Sequence, residues 1–241
     1  MAEVFELPFI GSTSAEDTSR AVFEFYEKYM TEELKDVKVL AVHVHGPGVI
    51  HTKDVTIDSL DDFAGLKLRA PTRTGAKILG ALGATPVGMP VPQLPEAISK
   101  GVVDGGVIPW EIVPPLKMHE LATSHTMVGG NRALYNTVFI WAMNKSVYDG
   151  LDDELKAVID ANSGDMAAAW AGRAMDQGDG PGRALTEKSG NTMVTLDGAD
   201  LEEMMALTQP IVDDWIAEMT EKGLPAAQMV EDAKAMVAQF D

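Results

Sequence analysis

The chain of 241 residues carries 37 acidic against 19 basic side chains, a net charge of -18, and no cysteine. That acidity repels phosphate backbones and anionic lipid and sets nucleic acid aside as a partner; without thiols there are no disulfides, no thiolate nucleophile and no Cys-ligated zinc or iron–sulfur site. An apolar content of 46% with 22 glycines and 13 prolines is that of a globular chain long enough for one large domain or two lobes; no apolar run approaches the roughly 18 residues of a membrane span.

The N-terminus, Met1 to Phe9, shows neither the basic n-region nor the apolar h-region of a secretion signal. Ser14-Ala15-Glu16-Asp17 predicts a capped helix start with an acidic first turn, continued by apolar residues at Ala21, Val22, Phe25, Tyr26 and Met30. Asp36 to His45 alternates with mixed polarity on both faces, which predicts a strand covered on two sides. His43 and His45 share a face at the i, i+2 spacing metal ligands use, with His51 close behind, but no acidic or third-histidine signature accompanies them.

Ser59-x-x-Asp62 predicts a capping box for a short helix ending at Gly65. A strand follows at Leu66–Arg69, a helix from Gly75 to Leu82 stopped by Gly83, a strand at Thr85–Met89, a helix from Gln93 to Lys100 stopped by Gly101, and a strand and turn at Val102–Gly105. Strands alternating with short helices predict βαβ units and a mainly parallel sheet, an α/β fold. Leu134 to Met143 is the most strand-like run. Leu151 to Met175 predicts one long helix with Leu155, Val158, Ile159, Met166, Ala169 and Trp170 on its core stripe, and Gly178-Asp179-Gly180-Pro181-Gly182 predicts a loop that breaks it. After a strand at Thr192–Leu196 come a helix carrying Met204, Ile211, Trp215 and Met219, bent near Pro210, and a last helix carrying Met229, Ala233, Met236 and Phe240.

Arg69 closes an apolar-alternating strand just before Ala70-Pro71. A cation at a strand end suits a bound carboxylate; the alternative is a pair with an internal acid such as Asp104. Trp110 follows the Asp104-Gly105 turn, at the carboxyl end of a strand, where open α/β sheets bind ligands. Catalytic motifs are lacking: there is no G-x-S-x-G elbow, no P-loop, and no G-x-G-x-x-G after a strand.

Several stretches, in order, resemble the DctP-type extracytoplasmic solute receptors of TRAP transporters: Glu6-Leu7-Pro8-Phe9, then Gly65-Leu66-Lys67-Leu68-Arg69-Ala70-Pro71, Gly83-Ala84-Thr85-Pro86, Gly101-Val102-Val103-Asp104-Gly105, and Trp141 to Lys145 followed by Leu151 to Lys156. The resemblance covers most of residues 5 to 165. It implies a two-lobed, type II periplasmic-binding-protein-like fold with an interlobe cleft. Lobe I would take residues 1–46 and 134–173, lobe II residues 47–133 and 174–200, and residues 201–241 would form C-terminal helices packed across both. Family members carry β–α units and a secretion signal before the LPF loop, so at least one βαβ unit, about 30 residues or more, is expected to have no counterpart here.

Arg69 matches the arginine that binds the ligand carboxylate in that family, which makes this chain a solute-binding subunit rather than an enzyme. Trp110, His51, Tyr135, Asn136 and Phe9 are the further ligand-contact candidates, with no metal and no cofactor. Relatives place polar side chains shortly after the Asp-Gly pair; Gly106, Val107 and Ile108 stand here, and the second arginine of some relatives is replaced near Val49–His51. One cation and an aromatic wall point to a monocarboxylate with an apolar or aromatic body. The implied partners are that ligand and the small and large membrane subunits, with a homodimer left open, and the implied location is the periplasm. The competing readings are a metal-dependent α/β enzyme using His43, His45 and His51, and a truncated remnant that binds nothing.

Overall fold

The computed structural model describes residues 1–240. Ser14 caps α1 (Ala15–Phe25) through its side chain and Asp17 N–H, and the helix runs on into a π-turn at Tyr26–Met30. The strands are β1 (Val37–Val44), β2 (Val49–Thr52), β3 (Lys67–Ala70), β4 (Thr85–Gly88), β5 (Gly105–Ile108), β6 (Ser124–Val128), β7 (Val138–Asn144) and β8 (Thr192–Leu196). The remaining helices are α2 (Arg73–Ala81), α3 (Leu94–Ser99), α4 (Val113–Leu116), α5 (Met118–Leu121), α6 (Lys145–Asp149), α7 (Asp153–Ala161), α8 (Asp165–Lys188), α9 (Ala199–Glu221) and α10 (Ala226–Phe240).

Two sheets result. β1 and β7 form an antiparallel ribbon, and β4-β3-β5-β2-β6-β8 form a six-stranded sheet. In the larger sheet β3 runs parallel to β4 and β5, and β6 parallel to β8, while β2 is antiparallel to both its neighbours. The sheet is therefore mixed rather than mainly parallel. β2 escapes the sequence pattern because it is four residues long, set between Pro47-Gly48 and the half-buried Lys53 and exposed Asp54. β5 starts at Gly105, three residues after the expected Val102. A Cβ on Gly105 would lie 2.2 Å from His51 O, and one on Gly106 2.9 Å from Arg69 Cβ. Gly105, read as a turn, and Gly106 after it are strand residues that let neighbouring strands approach closely.

The expected long helix at 151–175 is two helices, broken at Gly164 with φ 83°. The expected loop at Gly178–Gly182 lies inside α8. Its glycines serve packing: a Cβ on Gly182 would sit 2.0 Å from Trp110 O and one on Gly178 2.6 Å from Glu111 Cβ, so α8 presses its backbone against the 110–112 turn. Further along α8, Asp176 accepts from Ala15 and Glu16 N–H at 2.7 and 3.0 Å, placing a carboxylate on the α1 N-terminus, where the helix dipole favours it.

The stripe expected to be core is largely exposed: Leu155, Val158, Met166 and Trp170 lie at the surface, together with Phe139, Ile140 and Trp141 of β7. The buried core runs instead through Phe5, Phe25, Val42, Phe63, Leu68 and Ile78, and a second cluster around Val49, Leu94, Ile98, Ile108, Val113 and Met118 takes the alternate residues of β2 and β5, on the opposite face of the large sheet. α9 packs on α2, which lies against β3 and β4, and α10 on α1, which lies against β1, so each C-terminal helix meets a helix packed on a different sheet. Glu3, held near pKa 2 mainly by its hydrogen bonds to Arg73, also accepts from Trp215 Nε1 at 3.1 Å and ties the first turn to α2 and α9.

Candidate functional site

The chain passes between the sheets at His45–Gly48 and again at Leu134–Thr137, and the two passages are laced together. Asn136 Nδ2 donates to His45 O at 2.8 Å, Gly48 N–H to Tyr135 O at 3.3 Å, and Thr137 N–H to His45 Nε2 at 3.1 Å. His45 Nδ1 in turn donates to Gly46 O at 2.5 Å, which fixes the neutral tautomer; burial holds this imidazole down to about pKa 4. Gly48 is needed because a Cβ there would fall 1.8 Å from the Tyr135 ring.

Against this junction lies a cavity of about 240 Å³. That is smaller than the roughly 300–1,000 Å³ typical of sites for drug-sized molecules and suits a single ring. Val91, Ile108, Ile112 and Phe139 form its apolar walls; Arg69, His45, Glu111, Tyr135 and Thr137 supply its polar atoms. Arg69 is 6% exposed. Its Nε donates to Met89 O at 3.0 Å and one Nη1–H to Val107 O at 2.9 Å, so the ends of β4 and β5 aim the guanidinium. Among the described residues no carboxylate pairs with it: Asp104, the sequence alternative, accepts from Lys67 N–H at 2.7 Å instead. Burial without a counter-charge pushes the Arg69 pKa down, although a guanidinium remains protonated. Nη2 has no partner among the described residues, so the cavity holds a cation with donors to spare.

Three further polar atoms on the cavity residues are buried and make no hydrogen bond within the protein: Tyr135 Oη, Thr137 Oγ1 and Glu111 Oε2. Burial raises the Tyr135 phenol above its ordinary range. Burial, then the charge of Asp179, pushes Glu111 up to about 9, and burial raises Asp179 too, so this pair keeps a proton at neutral pH.

Of the six expected contact residues, Arg69 and Tyr135 line this cavity; the other four lie elsewhere. His51 is wholly buried in the large sheet, opposite His125 in register. Asn191 Nδ2 donates to His125 Nε2 at 3.0 Å, His125 Nδ1 to His51 Nδ1 at 2.6 Å, and His51 Nε2 to Ile108 O at 3.1 Å. Every ring nitrogen is thereby used, with both rings neutral; burial lowers His51 to about 3 and His125 to about 4. Trp110 turns away because the 3-10 turn after Pro109 sends Glu111 and Ile112 inward; its ring stands edge-on to His51 at 5.2 Å and lines a separate cleft beside Pro47, Val49 and Met127. Asn136 is spent joining the passages and sits over Gly11, where a Cβ would meet its Oδ1 at 2.0 Å. Phe9, at φ 61°, lies in another groove against Met205 and Thr208 of α9.

No contact role was expected for Thr137, Phe139, Glu111 or Ile112, which line the cavity. Strand alternation was the available signal: Tyr135, Thr137 and Phe139 share a face and Asn136 takes the other. His43 stacks on Phe139 with both ring nitrogens free of protein partners, and no group of three His, Asp or Glu side chains converges among the described residues.

Residues 1–219 match the profile described as bacterial extracellular solute-binding protein, family 7. Among solved structures, a marine-metagenome TRAP solute-binding protein specific for aromatic acid ligands, from an unidentified microbe and bound to 3-hydroxybenzoate, is 48% identical over 99% of this chain and 74% of its own, with a TM-score of 0.96. A TRAP solute-binding protein from Rhodoferax ferrireducens T118, with copurified benzoate, is 43% identical over 99% and 74%, TM-score 0.96. A TRAP periplasmic solute-binding protein from Bordetella bronchiseptica, bound to (R)- and (S)-mandelate, is 28% identical over 100% and 76%, TM-score 0.90.

Proposed function

The chain belongs to bacterial extracellular solute-binding protein family 7, the DctP family, and we propose that it is the solute receptor of a TRAP-type importer, binding a monocarboxylate with an aromatic body through Arg69. Its solved neighbours are transport receptors, not enzymes, and it has their two-lobed α/β fold. The observation that carries the reading is the buried Arg69 guanidinium, which has two backbone carbonyls and no carboxylate as partners and faces a ring-sized, mostly apolar cavity between the sheets. A ligand carboxylate supplies the missing anion through the planar fork that lysine lacks. Burying a ring removes roughly 150–250 Å² from water, about 4–6 kcal/mol gross. The ring then provides most of the affinity and Arg69 the orientation.

Function follows by closure rather than chemistry. The lobes proposed at residues 1–46 with 134–173 and 47–133 with 174–200 meet at the laced passages, and the cavity lies where they would close. Closing exchanges ligand hydration for protein contacts and presents one closed surface to the membrane subunits, in the periplasm where such receptors work. A thermal-shift panel tests this: benzoate, 3-hydroxybenzoate and mandelate stabilise the protein, by about 2.7 kcal/mol at a hundredfold excess over Kd. Stabilisation by succinate or glucuronate alone overturns the ligand class.

A further inference from the structure

The Arg69 cavity has polar lining beyond the guanidinium. We propose that Glu111 Oε2 and Thr137 Oγ1 form a hydroxyl-reading subsite, with Tyr135 joining Arg69 at the carboxylate, so that the preferred ligand is a ring-hydroxylated aromatic acid rather than an unsubstituted one. This rests on the receptor reading above and deepens it.

Tyr135 Oη, Glu111 Oε2 and Thr137 Oγ1 are buried without a protein hydrogen bond, and all three residues line one cavity. Buried polar atoms are satisfied in working proteins, so three leftovers on residues that line one cavity point to a ligand that supplies their partners. Their chemistry divides them. The Tyr135 phenol feels the Arg69 charge directly, and burial keeps its proton on, so it is a donor beside a cation: the surroundings of a carboxylate. Glu111 is opposite in kind. Burial and the charge of Asp179 keep the Glu111 carboxyl protonated at neutral pH, so its unpaired Oε2 belongs to a neutral group that can accept a hydrogen bond. An acceptor there repels a second carboxylate and takes a hydrogen bond from a phenol. Thr137 Oγ1 can donate to that same phenol oxygen or accept from it. Its position is set by the bond from its own N–H to His45 Nε2, so the hydroxyl is presented by a fixed backbone. Val91, Ile112 and Phe139 are apolar, and both ring nitrogens of His45, the remaining polar side chain of the lining, are already hydrogen-bonded.

Isothermal titration of the full chain with benzoate and with 3-hydroxybenzoate decides it, and the ratio of the two affinities is the readout. The wild type should bind 3-hydroxybenzoate at least about tenfold more tightly, because a site that hydrogen-bonds a hydroxyl rejects the analogue lacking it. Thr137→Val and Glu111→Met should each cut that ratio at least about threefold, whereas Glu111→Gln, which keeps a neutral acceptor, should preserve it. A misfolded variant weakens both acids together and leaves the ratio alone, so the ratio isolates the subsite. Equal binding of the two acids by the wild type, or a ratio unmoved in both Thr137→Val and Glu111→Met, overturns the subsite while leaving the receptor intact. Binding of neither acid defeats the receptor reading and the subsite with it.

Discussion

Replacing Arg69 with methionine should lower affinity far more than it changes stability. In the free protein Arg69 is 6% exposed, and among the described residues its guanidinium has only Met89 O and Val107 O as hydrogen-bond partners. Those two charge-assisted bonds favour the folded state by about 1.5–3 kcal/mol each, but burying an unpaired cation opposes them by several kcal/mol. Methionine fills a similar volume at no desolvation cost. The unliganded variant should therefore unfold within about 1.5 kcal/mol of wild type, on either side. Binding has no such compensation. Losing one partner of a desolvated ion pair costs roughly 2–5 kcal/mol, about 30- to several-thousand-fold in Kd for an aromatic acid. Arg69→Lys keeps the charge without the planar fork and should fall between. Titration calorimetry with benzoate and urea unfolding of the ligand-free variants give the two numbers. Benzoate affinity within threefold of wild type in Arg69→Met would refute the reasoning, since the cation would then not meet the carboxylate.

The buried histidine relay makes a pH prediction. The folded pKa values of His51 and His125, about 3 and 4, lie below the unfolded value near 6.5, so the unfolded chain takes up more protons and stability falls as pH drops from about 6.5 toward 4. Each histidine contributes up to about 1.4 kcal/mol per pH unit; urea unfolding of His51→Gln/His125→Gln should show a flatter slope than wild type between pH 6.5 and 4.5. Glu111 runs the other way: its folded pKa of about 9 lies above the ordinary 4.5, so the stability it contributes as a neutral acid is lost as pH rises to 9. Glu111→Gln should therefore gain on wild type in melts from pH 7 to 9, and equal slopes would contradict the protonated pair. Inside α8, Gly180→Ala meets nothing within 4 Å and should stabilise by about 0.5–1 kcal/mol, whereas Gly182→Ala drives a Cβ to 2.0 Å from Trp110 O and should cost about 1–3 kcal/mol in urea unfolding.

Much of the fold was legible because local chemistry agreed with it. Gly65, Gly83 and Gly101, read as helix stops, take φ of 80°, 95° and 67°, and Ser14 and the Ser59/Asp62 box cap as their types suggest. What stayed hidden depends on a neighbour distant in sequence. Gly178 and Gly182 look like a loop until the 110–112 turn that needs their missing side chains is beside them. The apolar stripe of Leu155, Val158, Met166 and Trp170 carries a helical period, but periodicity says which residues share a face and not whether anything covers it. At the site, Arg69 was legible as a cation at a strand end. The aromatic wall was assigned to Trp110, whereas one reversal of direction after Pro109 gives that space to Glu111 and Ile112, and Phe139 supplies the ring.

A crystal structure of the protein with benzoate puts the central claim to its most direct trial. The account predicts the carboxylate within hydrogen-bond distance of Arg69 Nη2 and Tyr135 Oη, with the ring between Val91, Ile112 and Phe139. Benzoate in the cleft beside Trp110, or in the Arg69 cavity with its carboxylate turned away from the guanidinium, would contradict it.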